Sequence, residues 1–388
     1  MPRSASLKRH YRRSLAGLGG RLHFAAHSHH LWPDVTRAAV LRCWDDAARF
    51  SDRKWERVLG EVLPSAQRRV ARILGLSRPG QLAFAPNTHE LLCRLLSCLD
   101  WSRPIRILTT DGEFHSLRRQ LARLSELPSV HIEEVPTEPF ATFEERFLKA
   151  LRGRWDLVYL SQVFFDSGFV VERLSDVADA APPNALLAID GYHAFCAVPT
   201  ELRRVEKRAF YLAGGYKYAQ AGEGACFLAV PPGCALRPLY TGWFADFDSL
   251  ERPARGPVAY GPGAYRFWGA TFDPSGLYRL DAALGWLSSR GLTTARVHSR
   301  IVGLQDAFLS LLGPGLGSLR RSSLLTPIGR RDRAHFLAFR MPGAAAFSRR
   351  LARAGVDTDV RADRIRFGFG LYQDESDVRE LCRRLARL

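Results

Sequence analysis

Leu212-Ala213-Gly214-Gly215-Tyr216-Lys217-Tyr218-Ala219-Gln220-Ala221-Gly222-Glu223-Gly224 sets one lysine among small and aromatic residues. An apolar run, Ala209–Leu212, leads in, and a second, Ala225–Val230, leads out. Both read as buried strands, and the glycines keep the link tight. A strand–loop–strand hairpin therefore delivers one primary amine to the interior, where burial disfavours its charged form. Only five of the 56 basic residues are lysine (Lys8, Lys54, Lys149, Lys207, Lys217); the rest are arginine. In a chain that uses arginine wherever a cation suffices, Lys217 marks a place that needs an amine, as Schiff-base chemistry does. A lysine snorkelling out of a loop would leave the same local trace, and the upstream residues separate the two.

The 388 residues can bury a large core, and 46% hydrophobic with 24% charged residues is ordinary for a globular protein. No apolar run reaches the roughly 18–20 residues of a membrane span, and the basic start, Met1 to Arg13, has no apolar signal core behind it. The expectation is a cytoplasmic protein. Seven cysteines without a C-x-x-C pair, several inside apolar strands, read as reduced thiols. The net charge of +17 invites a nucleic-acid partner. The arginines, however, are scattered in pairs such as Arg68-Arg69 and Arg349-Arg350, with no nucleic-acid-binding signature, so a solvated surface is the preferred reading. Residues 22–34 hold His27, His29 and His30 close together, but the spacing matches no metal motif. This segment reads as the lining of a polar pocket, with Ser28 or His29 near a substrate, or as a helix-entry loop capped by Asp34. Residues 34–76 are helical by period, with a break near Ser51-Asp52.

From residue 82 onward, short apolar runs alternate with amphipathic helices. The runs are Leu82–Ala85, Ile105–Thr109, Val130–Val135, Leu157–Ser161, Leu186–Ile189, Ala209–Leu212 and Cys226–Val230. Seven such strands predict an α/β fold with a mainly parallel sheet covered on both faces. The last two lack a connecting helix, which predicts an antiparallel edge. Residues 250–275, rich in glycine and proline, read as a long loop. Short strands at Ala334–Arg340 and Ile365–Phe369 with a last helix at Glu375–Leu388 read as a smaller α+β domain. The expected division is an N-terminal arm with part of the small domain at 1–45, the large domain at 46–285 and the C-terminal small domain at 286–388.

Ligands of such a sheet bind beyond the carboxyl ends of its strands. There the chain places Asn87-Thr88-His89 at a helix start, suited to a phosphate, and the aromatic stretch Glu113-Phe114-His115-Ser116. It also places Ser161–Gly168 with Asp166, then Asp190-Gly191-Tyr192-His193, then Lys217. A lysine for an aldehyde, an acid for a pyridine nitrogen and a phosphate cradle are what pyridoxal phosphate requires. Asp190 alone would read as a strand-end cap; the set together points to the cofactor.

The sequence resembles the kynureninases, within the class V aminotransferase group of fold-type-I pyridoxal-phosphate enzymes. The resemblance rests on Asp190–His193, on Gly215-Tyr216-Lys217-Tyr218 with its following glycines, on Gly242-Trp243-Phe244, and on the C-terminal run from Asp359 through Arg366 to Tyr372. It implies that Lys217 holds the cofactor, Asp190 pairs with its ring nitrogen, and His193 lies near the ring oxygen or phosphate. Phe114 would stack on the ring. Asn87, Thr88, His89 and Tyr216 would hold the phosphate, with Asp166 and Thr271 as further cofactor contacts, Thr271 toward a neighbouring subunit. Trp243 would approach cofactor or substrate, and Arg366 would clamp the α-carboxylate of an amino acid. A homodimer and hydrolytic Cβ–Cγ cleavage follow from the same resemblance. Transamination, β-elimination or C–S lysis on the same scaffold stays open, as does a non-catalytic binding or regulatory role. A desulfurase fits less well, since the C-terminal part has no cysteine in a glycine/serine loop; Cys382 falls in the last helix. The chain departs from the family at Gly222-Glu223-Gly224 (usually Gly-Pro-Gly), Ala270-Thr271 (Gly-Thr), Leu117 (a polar residue) and Ala26-His27-Ser28 (Gly-Asn-Ser). The Leu117 and Ala26–Ser28 changes fall where a kynureninase shapes its substrate pocket.

Overall fold

A computed structural model describes residues 6–247 and 256–388. The seven apolar runs form one sheet. Its strands are β1 (Leu82–Ala85), β2 (Ile105–Thr110), β3 (Val130–Val135), β4 (Leu157–Ser161), β5 (Leu186–Asp190), β6 (Ala209–Gly214) and β7 (Cys226–Ala229), in the order β1-β7-β6-β5-β4-β2-β3. β2 to β6 run parallel. β4 and β6 are buried along their whole length, as strands covered on both faces must be. β3, at the rim, alternates exposed His131, Glu133 and Glu134 with apolar residues, which blunts the open edge. β7 is antiparallel to β6, as the short hairpin requires, but it is not the edge: β1 pairs antiparallel with its outer side. The expected antiparallel edge is thus corrected. The first strand returns to cover the last because the apolar backbone of Cys226–Ala229 needs a second ladder.

Helices α1 (Asp34–Phe50) and α2 (Leu63–Leu74) precede this sheet in the chain, and α3 (Thr88–Leu96), α4 (His115–Leu124), α5 (Phe143–Ala150) and α6 (Leu174–Ala180) lie between its strands in chain order. The expected break after α1 falls at Ser51, whose φ is +50°. Of the expected loop at 250–275, residues 250–255 lie outside the described ones. Helix α7 (Ser275–Ser289) stops at Gly291, φ +62°, and leads into α8 (Thr294–Leu312). The C-terminal part is a smaller three-stranded antiparallel sheet of β8 (Phe336–Arg340), β9 (Asp359–Arg361) and β10 (Arg364–Gly368), with β10 central. Helices α9 (Ala344–Arg353) and α10 (Glu375–Leu385) complete it. Among the described residues no helix is long and apolar enough to cross a membrane.

The N-terminal segment ties the two sheets together. Leu22-His23 pairs in parallel with Val356-Asp357, and the N–H of His30 reaches the carbonyl of Tyr216 at 3.3 Å. Two of its histidines, half-buried His23 and buried His30, are held as neutral rings. His23 Nδ1 lies 2.6 Å from the Tyr372 hydroxyl, and His30 Nδ1 lies 2.7 Å from the Leu31 carbonyl. Burial pulls their pKa values down from 6.5, to about 4 for His23 and about 3 for His30. The unfolded chain takes up these protons near pH 6.5 and the folded chain does not, so stability falls as pH drops below 6.5 and levels only near the folded values. At pH 5 the loss is on the order of 2 kcal/mol for each histidine. Urea midpoints at pH 7 and pH 5 should show it, and His30→Gln should shrink the difference between them.

Candidate functional site

The hairpin between β6 and β7 closes on itself before it presents Lys217. The N–H of Gly215 bonds Ala225 O at 2.9 Å and that of Ala221 bonds Gly215 O at 2.8 Å. Gly222 adopts φ +70°, and a Cβ there would run into the Trp32 ring. The glycine that opens the family's Gly-Pro-Gly is therefore demanded here by a neighbouring tryptophan as well as by the turn. Lys217 is only 4% exposed. Its Nζ lies 4.4 Å from the centre of the Tyr192 ring and 5.3 Å from those of Phe114 and Tyr216. Burial lowers its pKa to about 7, against the attraction of Asp190 and with help from Arg366 and Arg361. The amine is thus available in its neutral form near neutral pH.

A cavity of about 220 Å³ gathers Asn87, Thr88, His89, Phe114, Asp190, His193, Tyr216 and Lys217. It lies at the carboxyl ends of the parallel strands, as the switch-point rule demands. Asp190 closes β5. One oxygen accepts the Tyr192 N–H at 2.8 Å and the other the Tyr159 hydroxyl at 3.1 Å. Burial raises its pKa, while the Tyr192 N–H, Lys217 and Tyr159 oppose the rise. The side chain of Asn87 caps α3 by accepting the Glu90 N–H at 2.9 Å, so it serves the helix, and the helix start faces the cavity with Thr88 and His89. His193 is buried, its Nδ1 has no hydrogen-bond partner among the described residues, and burial with nearby Lys217 and Arg366 holds its pKa well below 6.5.

Arg366 lies beside this cavity on β10 and is 2% exposed. Its guanidinium sits 5.8 Å from the centre of the Phe165 ring, which lines the cavity, and 5.7 Å from that of Phe336. It donates to the Phe165 carbonyl and to Asp359, and its Nε has no partner among the described residues. Asp359 also accepts from Arg361 at 2.6 Å. Two guanidinium groups thus share one carboxylate, and the surplus positive charge favours one more anion. His27, the departure from Gly-Asn-Ser, is fully buried, stacked on Phe336 at 4.8 Å, with Nε2 3.4 Å from Asp359. Its ring occupies space that only a glycine at 368 leaves free.

Other expected contacts fall elsewhere. Asp166 does not line the cavity: its carboxylate is drawn to Arg364, which opens β10. Trp243 is 46% exposed and packs on Phe244 and Phe247 rather than beside Lys217 in this chain. Thr271 lines a separate cavity with Arg94, Tyr240 and Trp268. Ser28 and His29 stand at the rim. His29 stacks on Tyr216 at 5.2 Å and its Nε2 lies 3.6 Å from Glu223, while Ser28 Oγ is 3.4 Å from His29 Nδ1.

Sequence reasoning gave no role to Glu113, Tyr159 or Asp359. Glu113 has no exposed surface, and its carboxyl accepts from Thr110 Oγ1 (2.8 Å), Ser161 N (3.0 Å) and Ser161 Oγ (2.5 Å). Burial lifts its pKa to about 8. It fastens the turn that carries Phe114 to the end of β4, where Ser161 is in register with Asp190. Its only trace in the sequence is its place before Phe114. Glu113→Ala leaves three donors without acceptors in a dry site, at about 1–3 kcal/mol for each unsatisfied group. The variant should lower the urea midpoint sharply, and Glu113→Gln much less.

The C-terminal residues 297–385 match the kynureninase C-terminal domain. Comparison with curated proteins gives no match. Among solved structures the chain is similar to the cystine C–S lyase C-DES in complex with its product cysteine persulfide (TM-score 0.81, 19% identity, 96% of this chain and 98% of that one). A lysine-to-alanine variant of C-DES with glycine covalently linked to its PLP cofactor gives a TM-score of 0.83 at 18% identity, over 98% and 99% of the two chains. The apo cysteine desulfurase of Thermococcus onnurineus NA1 gives 0.81 at 16% identity, over 100% and 99%. The chain therefore shares the fold of these structures. The match over residues 297–385 and the shared fold agree with the resemblance read from the sequence.

Proposed function

We propose that the protein is a pyridoxal-phosphate enzyme that acts at the α-carbon of an amino acid and cleaves a Cβ–Cγ bond hydrolytically, as kynureninases do. The observation that carries the reading is the buried Lys217 amine, ringed by three aromatic faces and sharing one cavity with Asp190 and the start of α3. The residues fit the cofactor. A neutral amine suits the aldehyde, a buried acid suits the ring nitrogen, and the unpartnered His193 Nδ1 suits a polar substituent of the ring. When bound, the cofactor supplies a protonated ring that accepts the electron pair released at the substrate α-carbon.

In this reading Lys217 takes and returns the α-proton, for which a pKa near 7 is well matched. Asp190 keeps a proton on the ring nitrogen, steadied by Tyr159 and the Tyr192 N–H. Phe114, which lines the cavity, would supply an aromatic surface for the ring. Thr88, His89 and the amides of α3 hold the phosphate with Tyr216. Arg366, oriented by Asp359 and the Phe165 carbonyl, keeps N–H groups for the substrate carboxylate. The reading extends to a cytoplasmic homodimer in which exposed Leu239, Tyr240 and Trp243 meet a second copy and Thr271 serves the neighbouring site. The seven free thiols suit that compartment.

The test is to incubate purified protein, after recording its visible cofactor band, with kynurenine and with 3-hydroxykynurenine. Release of anthranilate or 3-hydroxyanthranilate together with alanine supports hydrolysis; no turnover of either rejects it. C–S lysis is the second reading, since C-DES shares the fold; sulfide or persulfide released from cystine would select it.

A further inference from the structure

A second cavity, of about 390 Å³, shares no lining residue with the Lys217 site. Its walls are aliphatic: Ile73 of α2, Leu284 and Leu287 of α7, Leu292, and Val297 of α8. One charged group at its wall is held in a fixed pose. Arg69 donates through Nε to Asp281 at 2.6 Å, and Asp281 also accepts the Ser65 hydroxyl at 2.6 Å. The guanidinium lies against Gly285, where a Cβ would stand 3.1 Å from its Cζ. With Nε engaged, neither terminal nitrogen bonds another described residue. Arg72 adds a second guanidinium at the cavity, and Glu201 is the one acid lining it among the described residues, its carboxylate accepting the Arg203 N–H at 3.1 Å.

A chamber of this size with apolar walls and one preorganised fork has the make-up of a small-molecule site, and a guanidinium fork matches a carboxylate. We propose that this cavity binds a small apolar monocarboxylate, its acid on the two terminal nitrogens of Arg69 and its hydrocarbon body against Ile73, Leu284 and Leu287. The site has a route to the other one. Thr200, in the wall, accepts Gln162 Nε2 at 2.9 Å, and the Gln162 N–H bonds the Asp190 carbonyl at 2.8 Å. The proposal does not rest on the cofactor reading and is tested without amino-acid substrate.

Benzoate, hexanoate and the neutral isostere benzamide are titrated calorimetrically into the purified full-length protein, with thermal midpoints in parallel. One saturable site per chain is expected for at least one acid. Its ligand should raise the midpoint on the order of 2 °C at ten times its Kd, and benzamide should bind at least about tenfold more weakly. Arg69→Met should weaken the acid at least about tenfold and Arg69→Lys less, while Arg366→Met should leave it unchanged. The Lys variant guards against misfolding. No saturation by either acid, wild-type affinity in Arg69→Met, or loss in Arg366→Met would overturn the proposal.

Discussion

On the proposed reading, Lys217→Ala is expected to lower turnover of the amino-acid substrate by at least about a thousandfold, while the fold survives. The amine contributes little to stability where it stands. It is 4% exposed, its pKa is already pulled to about 7, and its neighbours are ring faces rather than carboxylates at hydrogen-bond distance. Its removal takes out a costly buried cation and leaves the hairpin hydrogen bonds of Gly215 and Ala221 intact. Lys217→Arg is the harsher variant, because a guanidinium stays charged in a site that neutralises an ammonium. Borohydride treatment of wild type loaded with pyridoxal phosphate should fix the cofactor to the peptide that contains Lys217, read by mass spectrometry. The Ala variant should bind the cofactor without covalent attachment and lose it on gel filtration. A label on Lys207, or a variant that keeps its band through reduction and dialysis, would sink the assignment.

Much of this site was legible because its residues sit at ends of apolar runs. Asp190 closes β5 and Lys217 follows β6, so the alternation of strands and helices alone brings them to one rim of the sheet. What was not legible depends on register between distant strands. β1 covers β7 because a buried hairpin strand needs a second neighbour, which no local pattern encodes. Asp166 looked like a site acid until Arg364, nearly two hundred residues later, was found to claim it. Glu113 and Asp359 stand inside stretches that drew notice for other residues. Their work is to hold Phe114 and Arg366, and such roles leave no periodic trace. Trp243 and Thr271 fail to reach this chain's own cavity, and sequence pattern cannot say which copy of a chain a loop serves.

Asp190→Asn is the more informative substitution, because it keeps the shape and removes the charge. The amide oxygen can still accept the Tyr192 N–H, so a strand-end cap would be preserved and a residue with that role alone would show little change. If Asp190 keeps the cofactor ring protonated, turnover should fall by about a hundredfold or more, with the cofactor still attached to Lys217. A second consequence needs no turnover. Asp190 attracts the Lys217 ammonium and so holds its pKa up against burial. Without that charge the pKa must move below about 7, because burial, Arg366 and Arg361 all push the same way. The rate at which the apoprotein captures pyridoxal phosphate should then reach its plateau at lower pH than in wild type. Tyr159→Phe should move both readouts in a smaller degree, since it removes one donor from the carboxylate and leaves its charge. An Asn variant with wild-type turnover and an unmoved capture profile would return Asp190 to the role of a cap and leave Lys217 without the acid that the proposed chemistry needs.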